Sequence, residues 1–397
     1  MSNREFDVSR ARRETPGCEK VLHFNNAGAA LMPQSVLDAM TEYLKLESEM
    51  GGYETAEYRH DAVERVYDSI SSLLGCGRNE VAVIENATRA WDMAFYSIPF
   101  SPGDRILTCR SEYGSNFIAF LQVARRTGAR VEVIPNDEYG RVSVRELENM
   151  IDGRVKLIAI THVPTNGGLV NPAPEIGRVA REAGTLFLLD ACQSVGQMPI
   201  DVRDIGCDMR SATGRKFLRG PRGTGFLFIR RRLLDRLEPP FLDIRAAKWT
   251  AKDRFEIRND ARRFENWETN YAGKIGLGVA VDYALQWGLE DIRGRVSRLS
   301  LALRARLEGI RNVKTHDLGL ERCGIITFTV DGHPPREVRR RLAEQKMNVS
   351  VSPAEYTRLD MEERGLESVV RASVHYYNSE DEVERFCLAV ERIASSG

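Results

Sequence analysis

No stretch of this 397-residue chain is apolar for long enough to cross a membrane, and the charged opening MSNREFDVSRARRETPG has no apolar core of the kind a secretory signal carries. The chain also lacks any excess of one charge. Its 57 Lys and Arg stand against 57 Asp and Glu, so no global field favours nucleic acid or an anionic membrane. The one basic stripe, Arg336, Arg339, Arg340 and Arg341, reads as a solvated helix face. Cysteine occurs seven times, an odd number with no CxxC pair, which argues against a disulfide framework and against a zinc site. Repeats and low-complexity segments are missing as well. By default these absences predict a cytoplasmic protein with no metal, no membrane and no nucleic-acid partner. Hydrophobic residues at 42% and charged residues at 29% are ordinary for a globular chain, and the length allows two domains.

What is present centres on residues 186–227. The apolar run Leu186-Phe187-Leu188-Leu189 ends abruptly on Asp190, which suits a strand buried on both faces of a parallel sheet. An acid there lies where open α/β sheets bind ligands, outside the strands' carboxyl ends. Then come Ser211-Ala-Thr-Gly-Arg-Lys216 and the glycine-rich Gly220-Pro-Arg-Gly-Thr-Gly225. Lys216 is an amine fitted to form a Schiff base, and Arg215 beside it would help hold it unprotonated. Asp190 is a carboxylate able to keep a pyridinium nitrogen protonated. Taken singly, a lysine is a surface charge and an aspartate a helix cap; the joint order and spacing of three elements carries the reading.

This block resembles the active-site block of fold-type I pyridoxal-phosphate (PLP) enzymes of the class V aminotransferase and cysteine-desulfurase-like family. The family shows Asp-x-x-Gln, then Ser/Thr-x-His-Lys, then a glycine-rich turn; here these are Asp190-Ala-Cys-Gln193, Thr213-Gly-Arg-Lys216 and Gly220 to Gly225. The resemblance implies PLP as cofactor, joined to Lys216, with Asp190 against the ring nitrogen and Gln193 near the ring hydroxyl. Arg215 replaces the family's usual His. It keeps a phosphate ligand but removes an imidazole from proton transfer.

The rest of the chain fits the same frame. Val81–Ile84 is a short strand followed by Glu85-Asn-Ala-Thr-Arg-Ala-Trp91 opening a helix, a turn suited to phosphate. Thr88 falls where the family's phosphate-binding Thr lies, with Arg89 beside it. Tyr113, in Ser111-Glu-Tyr-Gly-Ser-Asn116, takes the place of the family's ring-stacking His; it can stack, but it is no imidazole acid at neutral pH. Thr165 or Asn166, in the segment 161–172, is implied near the ring hydroxyl. Asn25 and Gly28 are implied near the substrate carboxylate. Arg371, an arginine between apolar strand neighbours, needs an anion, and its Val-Arg-Ala-Ser setting resembles the family's carboxylate clamp. Residues 262–270, which precede a helix expected over Gly276 to Trp287, resemble the segment that reaches a neighbouring subunit's site, which implies a homodimer. The expected fold is α/β: a large PLP-binding domain over residues 35–287, its mostly parallel sheet flanked by helices, and a smaller α+β domain from residues 1–34 and 288–397.

The reaction is narrower to argue. Persulfide-forming desulfurases of this family need a cysteine on a flexible loop before the carboxylate-binding arginine. Residues 348–370, expected to be that loop, contain none. Cys323 is expected in a buried strand and Cys192 locked in the turn after Asp190, both inert. The residues therefore favour a C–S lyase acting on a cysteine conjugate or sulfoxide, with aminotransferase and epimerase as alternatives. A non-catalytic binding module would have no use for Lys216, Asp190, Gln193, Thr88 and Arg371 together.

Overall fold

A computed structural model describes residues 6–396, so the first five residues of the expected N-terminal segment lie outside it. Seven strands form the main sheet: β1 (Val81–Ile84), β2 (Arg105–Thr108), β3 (Arg130–Val133), β4 (Val155–Thr161), β5 (Leu186–Asp190), β6 (Met209–Thr213) and β7 (Gly225–Ile229). Their order is β1-β7-β6-β5-β4-β2-β3. Only β7 runs antiparallel to its neighbours. The expected α/β architecture with a mostly parallel sheet is what the chain adopts.

The apolar runs follow from burial on both faces. Along β5, Phe187 and Leu189 enter one core and Leu188 the opposite one. The helices Ala87–Phe95 and Gly114–Thr127 cover the second face through Trp91, Phe95 and Phe120. His60–Leu74, Ala173–Ala183 and Tyr271–Trp287 contribute Ile70, Ile176 and Val281 to the first. Each such side chain is worth roughly 1.5–3 kcal/mol once fully buried. With both faces closed, the only open part of a central strand is its end, and Asp190 stands there.

A second sheet is antiparallel: β8 (Val313–Thr315), β9 (Ile325–Val330), β10 (Ser350–Pro353) and β11 (Ser368–Ser373), ordered β8-β9-β11-β10. The helices Leu289–Glu308, Pro335–Glu344 and Glu380–Ala394 accompany it. The N-terminal segment joins this unit, since Leu22–His23 pairs in parallel with Met347–Asn348 and Asn25 bridges to Ser373. No helix among the described residues is long and apolar enough to cross a membrane.

Three details differ from what the sequence predicts. Residues 348–370 are not a loop: they hold β10, a turn at Ala354–Thr357 and the helix Arg358–Glu363 before β11. The helix expected from Gly276 begins at Tyr271, capped by the Asn270 side chain, because Gly273, Gly276 and Gly278 thin out its apolar stripe. The exposed hairpin Ala247–Ala251 with Arg254–Ile257 is not among the expected elements, although apolar and polar residues alternate along both of its strands.

One glycine fixes the loop that carries Lys216. Gly196 has φ +90°, and a Cβ there would sit 2.3 Å from the carbonyl carbon of Phe217. Backbone cannot swing aside as a flexible side chain would. Gly196→Ala should therefore lower stability by about 1–3 kcal/mol in thermal or denaturant unfolding. Unchanged stability would show that the Phe217 backbone is free to yield.

Candidate active site

The carboxyl ends of β4, β5 and β6 and the start of the helix after β1 converge on one pocket. Thr88, Tyr113, Thr165, Asp190, Gln193, Thr213, Arg215 and Lys216, all expected from the sequence, line it.

At one end lies the N-terminus of the nine-residue helix Ala87–Phe95. The Asn86 side chain caps it by accepting from the Arg89 amide at 2.8 Å. The cap is thus Asn86, and the Thr88 hydroxyl is available to a ligand. Gly225 lets β7 pass beneath this turn, because a Cβ there would lie 2.7 Å from the Ala212 oxygen and 2.9 Å from the Asn86 carbonyl carbon. Arg89 does not reach the pocket. Successive helix residues point about 100° apart, and its guanidinium lies 3.7 Å from Glu85 and over the Phe241 ring at 4.8 Å.

At the other end Asp190 is held at both oxygens. Oδ1 accepts from the Cys192 amide at 2.9 Å and Oδ2 from Asn116 Nδ2 at 3.0 Å. The Asn116 amide also donates to Glu112 at 2.8 Å. Glu112 is buried and accepts further from the Thr161 amide at 3.0 Å and the Tyr113 amide at 3.0 Å. Burial pushes its carboxyl up while the bonds from Thr161 and Asn116 pull it down. Sequence reasoning draws only Tyr113 from this segment. The acid just before the helix that starts at Gly114 and the amide in its first turn, Glu112 and Asn116, are the available signal, since a short polar side chain there meets groups at the helix start.

Burial pushes the Lys216 amine down to about 8, and Arg215 adds a smaller push in the same direction. Desolvation, rather than the neighbouring arginine, is the main cause. Arg215 donates to the Gly28 carbonyl and Gln193 Nε2 to the Ala27 carbonyl at 3.2 Å, so the N-terminal turn packs against the pocket. Asn25 and Gly28 stand in that turn rather than in the pocket wall, and the Asn25 Oδ1 is buried without a hydrogen bond.

Arg371 comes from the second sheet. Its Nη1 donates to the Thr165 hydroxyl at 2.5 Å, while its Nε is buried without a partner. Burial pushes the guanidinium down to about 10. No described acid forms a salt bridge with it, so a structural ion pair is not what holds this cation. Thr165 also accepts from Gln193 at 3.2 Å. Asn166 turns away, accepting from Ser352 at 2.6 Å and donating to the Pro353 carbonyl at 3.1 Å. Of the two candidates, Thr165 is the one at the pocket. Arg219 has no signal in the sequence. Fully buried at φ +62°, it binds the Leu31 carbonyl at 2.8 Å and the Tyr376 hydroxyl at 2.6 Å. It thereby locks the lysine loop to both chain ends.

The set suits a phosphorylated pyridine aldehyde. Helix amides with Thr88, Thr213 and Arg215 fit a phosphate, Asp190 a ring nitrogen, Lys216 an aldehyde and Tyr113 a ring face. The unpartnered Gln193 oxygen fits a ring hydroxyl. The family model for class-V aminotransferases matches residues 22–386. The chain belongs to the class-V aminotransferase family. It is therefore a PLP-dependent enzyme. Among its relatives, a probable cysteine desulfurase of Methanothermobacter thermautotrophicus is 29% identical over 97% of this chain and 98% of its own. The apo structure of a cysteine desulfurase from Thermococcus onnurineus is 26% identical, with TM-score 0.92 over the whole of both chains. A variant of the protein C-DES with glycine covalently linked to its PLP cofactor shares the fold at 23% identity, TM-score 0.86, over 97% of this chain and 99% of that one.

An amine must be unprotonated to join an aldehyde, so the lowered pKa of Lys216 has a direct readout. In the PLP-free class-V enzyme, the rate of gaining a visible absorbance band on adding PLP should rise about tenfold per pH unit and level off near pH 8. Lys216→Ala should fold and show no such band. A midpoint at the ordinary lysine value would mean that burial does not act on this amine.

Proposed function

We propose that this class-V enzyme is a C–S lyase, eliminating the sulfur-bearing group from a cysteine conjugate or sulfoxide without forming a persulfide on the protein. The observation that carries it concerns thiols. Of the seven cysteines, Cys192 is the one that lines the pocket among the described residues. The sequence predicts it locked and inert in its turn. Its amide is indeed tied to Asp190, but its side chain is partly exposed to the pocket. Burial and the Asp190 charge push its thiol well above the usual range, which suppresses the thiolate that attack on sulfur requires. Cys323 is buried and its thiol pushed up to about 12. The segment 348–370 brings Tyr356, not a cysteine, toward Tyr113.

PLP, when bound, supplies an electron sink for charge developing at the substrate Cα. Arg371 and Thr165 would hold the α-carboxylate, the arginine offering its unpartnered Nε. Lys216, with its lowered pKa, would take the Cα proton. Asp190, fixed by Asn116 and the Cys192 amide, would stay aligned on the ring nitrogen. The Cβ–S bond breaks with its electron pair leaving on sulfur. One thioether conjugate and one water thus yield a thiol, pyruvate and ammonium.

The names of the relatives favour a second reading, desulfuration of free cysteine. One experiment separates them. The holoenzyme is given cysteine and a set of S-substituted cysteines, and pyruvate, keto acid, D-amino acid and protein-bound persulfide are scored. A variant with all its cysteines replaced, provided it binds PLP, should still release pyruvate and thiol. A persulfide on the wild-type protein during turnover would overturn the lyase reading.

We further propose that residues 35–287 form the large domain, with residues 1–34 and 288–397 the small one, and that the enzyme is a homodimer. A cleft of about 800 Å³ lined by residues 265–271 and Lys274 supports the dimer, with Trp267 51% exposed at its edge. Sedimentation should give twice the chain mass. A monomer at micromolar concentration would remove segment 262–270 from any shared site.

A further inference from the structure

Tyr113 lines a second cavity, a groove of about 490 Å³ outside the cofactor pocket. One wall is the helix Gly114–Thr127, which presents Phe117, Ile118 and Leu121. The other is the Ala354–Thr357 turn and the helix after it, presenting Tyr356 and Leu359. Ile118 and Leu121 are 69% and 54% exposed, a high exposure for aliphatic side chains facing one groove. The arginines at its rim are paired elsewhere, Arg110 with Glu363 and Arg358 with Glu362; Glu112 is buried and hydrogen-bonded, and Glu355 is the charge left at the edge of a lining otherwise dominated by apolar side chains.

Tyr113 is the residue that this groove shares with the cofactor pocket. The Tyr113 and Tyr356 rings lie 6.4 Å apart at 53°, so the groove begins at the residue that walls the pocket. The turn carrying Tyr356 is fixed. Gly114 lets it approach so closely that a Cβ there would lie 2.4 Å from the Glu355 carbonyl oxygen. Asn166 holds Pro353 just before it. β10, which leads into the turn, pairs with β11 so that Ser350 stands opposite Arg371. A substrate held by its carboxylate at Arg371, with its Cα beside Lys216, would have Tyr113 between its side chain and the groove.

We propose that the groove is a subsite for the substituent on the substrate's sulfur, and that it selects an apolar alkyl or aryl group over hydrogen or a charged group. This rests on the C–S lyase reading and names its substrate class. Burying several carbons against Phe117, Leu121 and Leu359 favours a large apolar leaving group, and a single methylene in such a pocket is worth about tenfold or more.

The test uses the holoenzyme with S-methyl-, S-carboxymethyl- and S-benzyl-L-cysteine. It measures kcat/KM by pyruvate release and affinity by the change in visible absorbance. S-benzylcysteine should exceed S-methylcysteine by about tenfold or more in both measurements. Leu121→Asp should erase most of that ratio and Leu121→Met should keep it. If the ratio is near one, or survives in Leu121→Asp, the groove is not the subsite; an exposed helix face that docks another protein would give that result. If no substrate releases pyruvate, the lyase reading fails. The affinity ratio then still decides the groove on its own: a preference for S-benzylcysteine lost in Leu121→Asp upholds the subsite, and equal affinities overturn it.

Discussion

The buried carboxylate of Glu112 is the constraint on which the site depends. Withdrawing a charge from water costs several kcal/mol unless hydrogen bonds replace its hydration. Here the Thr161 and Tyr113 amides and the Asn116 side chain replace it. Those donors come from the end of β4 and from the start of the helix after β2, so satisfying one charge aligns two elements. Asn116 then passes the constraint to Asp190 with its remaining amide hydrogen. The alignment of Asp190, the group suited to a ring nitrogen, thus rests on a carboxylate outside the pocket's lining.

A second dependence runs between the two sheets. Arg371 stands on β11, in a different sheet from Asp190 and Lys216, and meets the pocket through Thr165, which lines it and accepts its hydrogen bond. The N-terminal turn closes the same gap through Arg215 and Gln193. Arg219 reinforces it, its guanidinium 4.5 Å from the Tyr377 ring and bonded to Tyr376. Cationic groups without acids around them are costly, and they are kept where an anion or an aromatic face meets them. In this pocket that leaves Arg371 and Arg215 suited to a carboxylate and a phosphate.

The likeness to cysteine desulfurases covers nearly the whole chain, yet it resides in the scaffold and the cofactor set. Sulfur acceptance depends on one mobile thiolate. The position that would supply it is a structured turn bearing Tyr356, and the thiol that does line the pocket is held protonated. On the proposed lyase reading, a shared fold and a divergent leaving-group chemistry are compatible, because the groups suited to PLP and those that would meet the substituent on sulfur lie on different elements.

The sequence alone singled out the residues proposed to bind PLP. Lys216, Asp190, Gln193, Thr88 and Thr213 stand at fixed distances from strand ends, and strands buried on both faces announce themselves as unbroken apolar runs. Its readings of Arg89, Asn166 and the supposed loop at 348–370 turned on side-chain direction and on weakly patterned segments, which local periodicity does not encode. Only the tertiary structure decided that Asn166 ties down Pro353 while Thr165 meets Arg371, that Cys192 faces the pocket, and that Glu112 and Asn116 stand behind Asp190. Those facts depend on which atoms are left to satisfy a buried polar group once two sheets have closed on each other, and that inventory exists only in the folded chain.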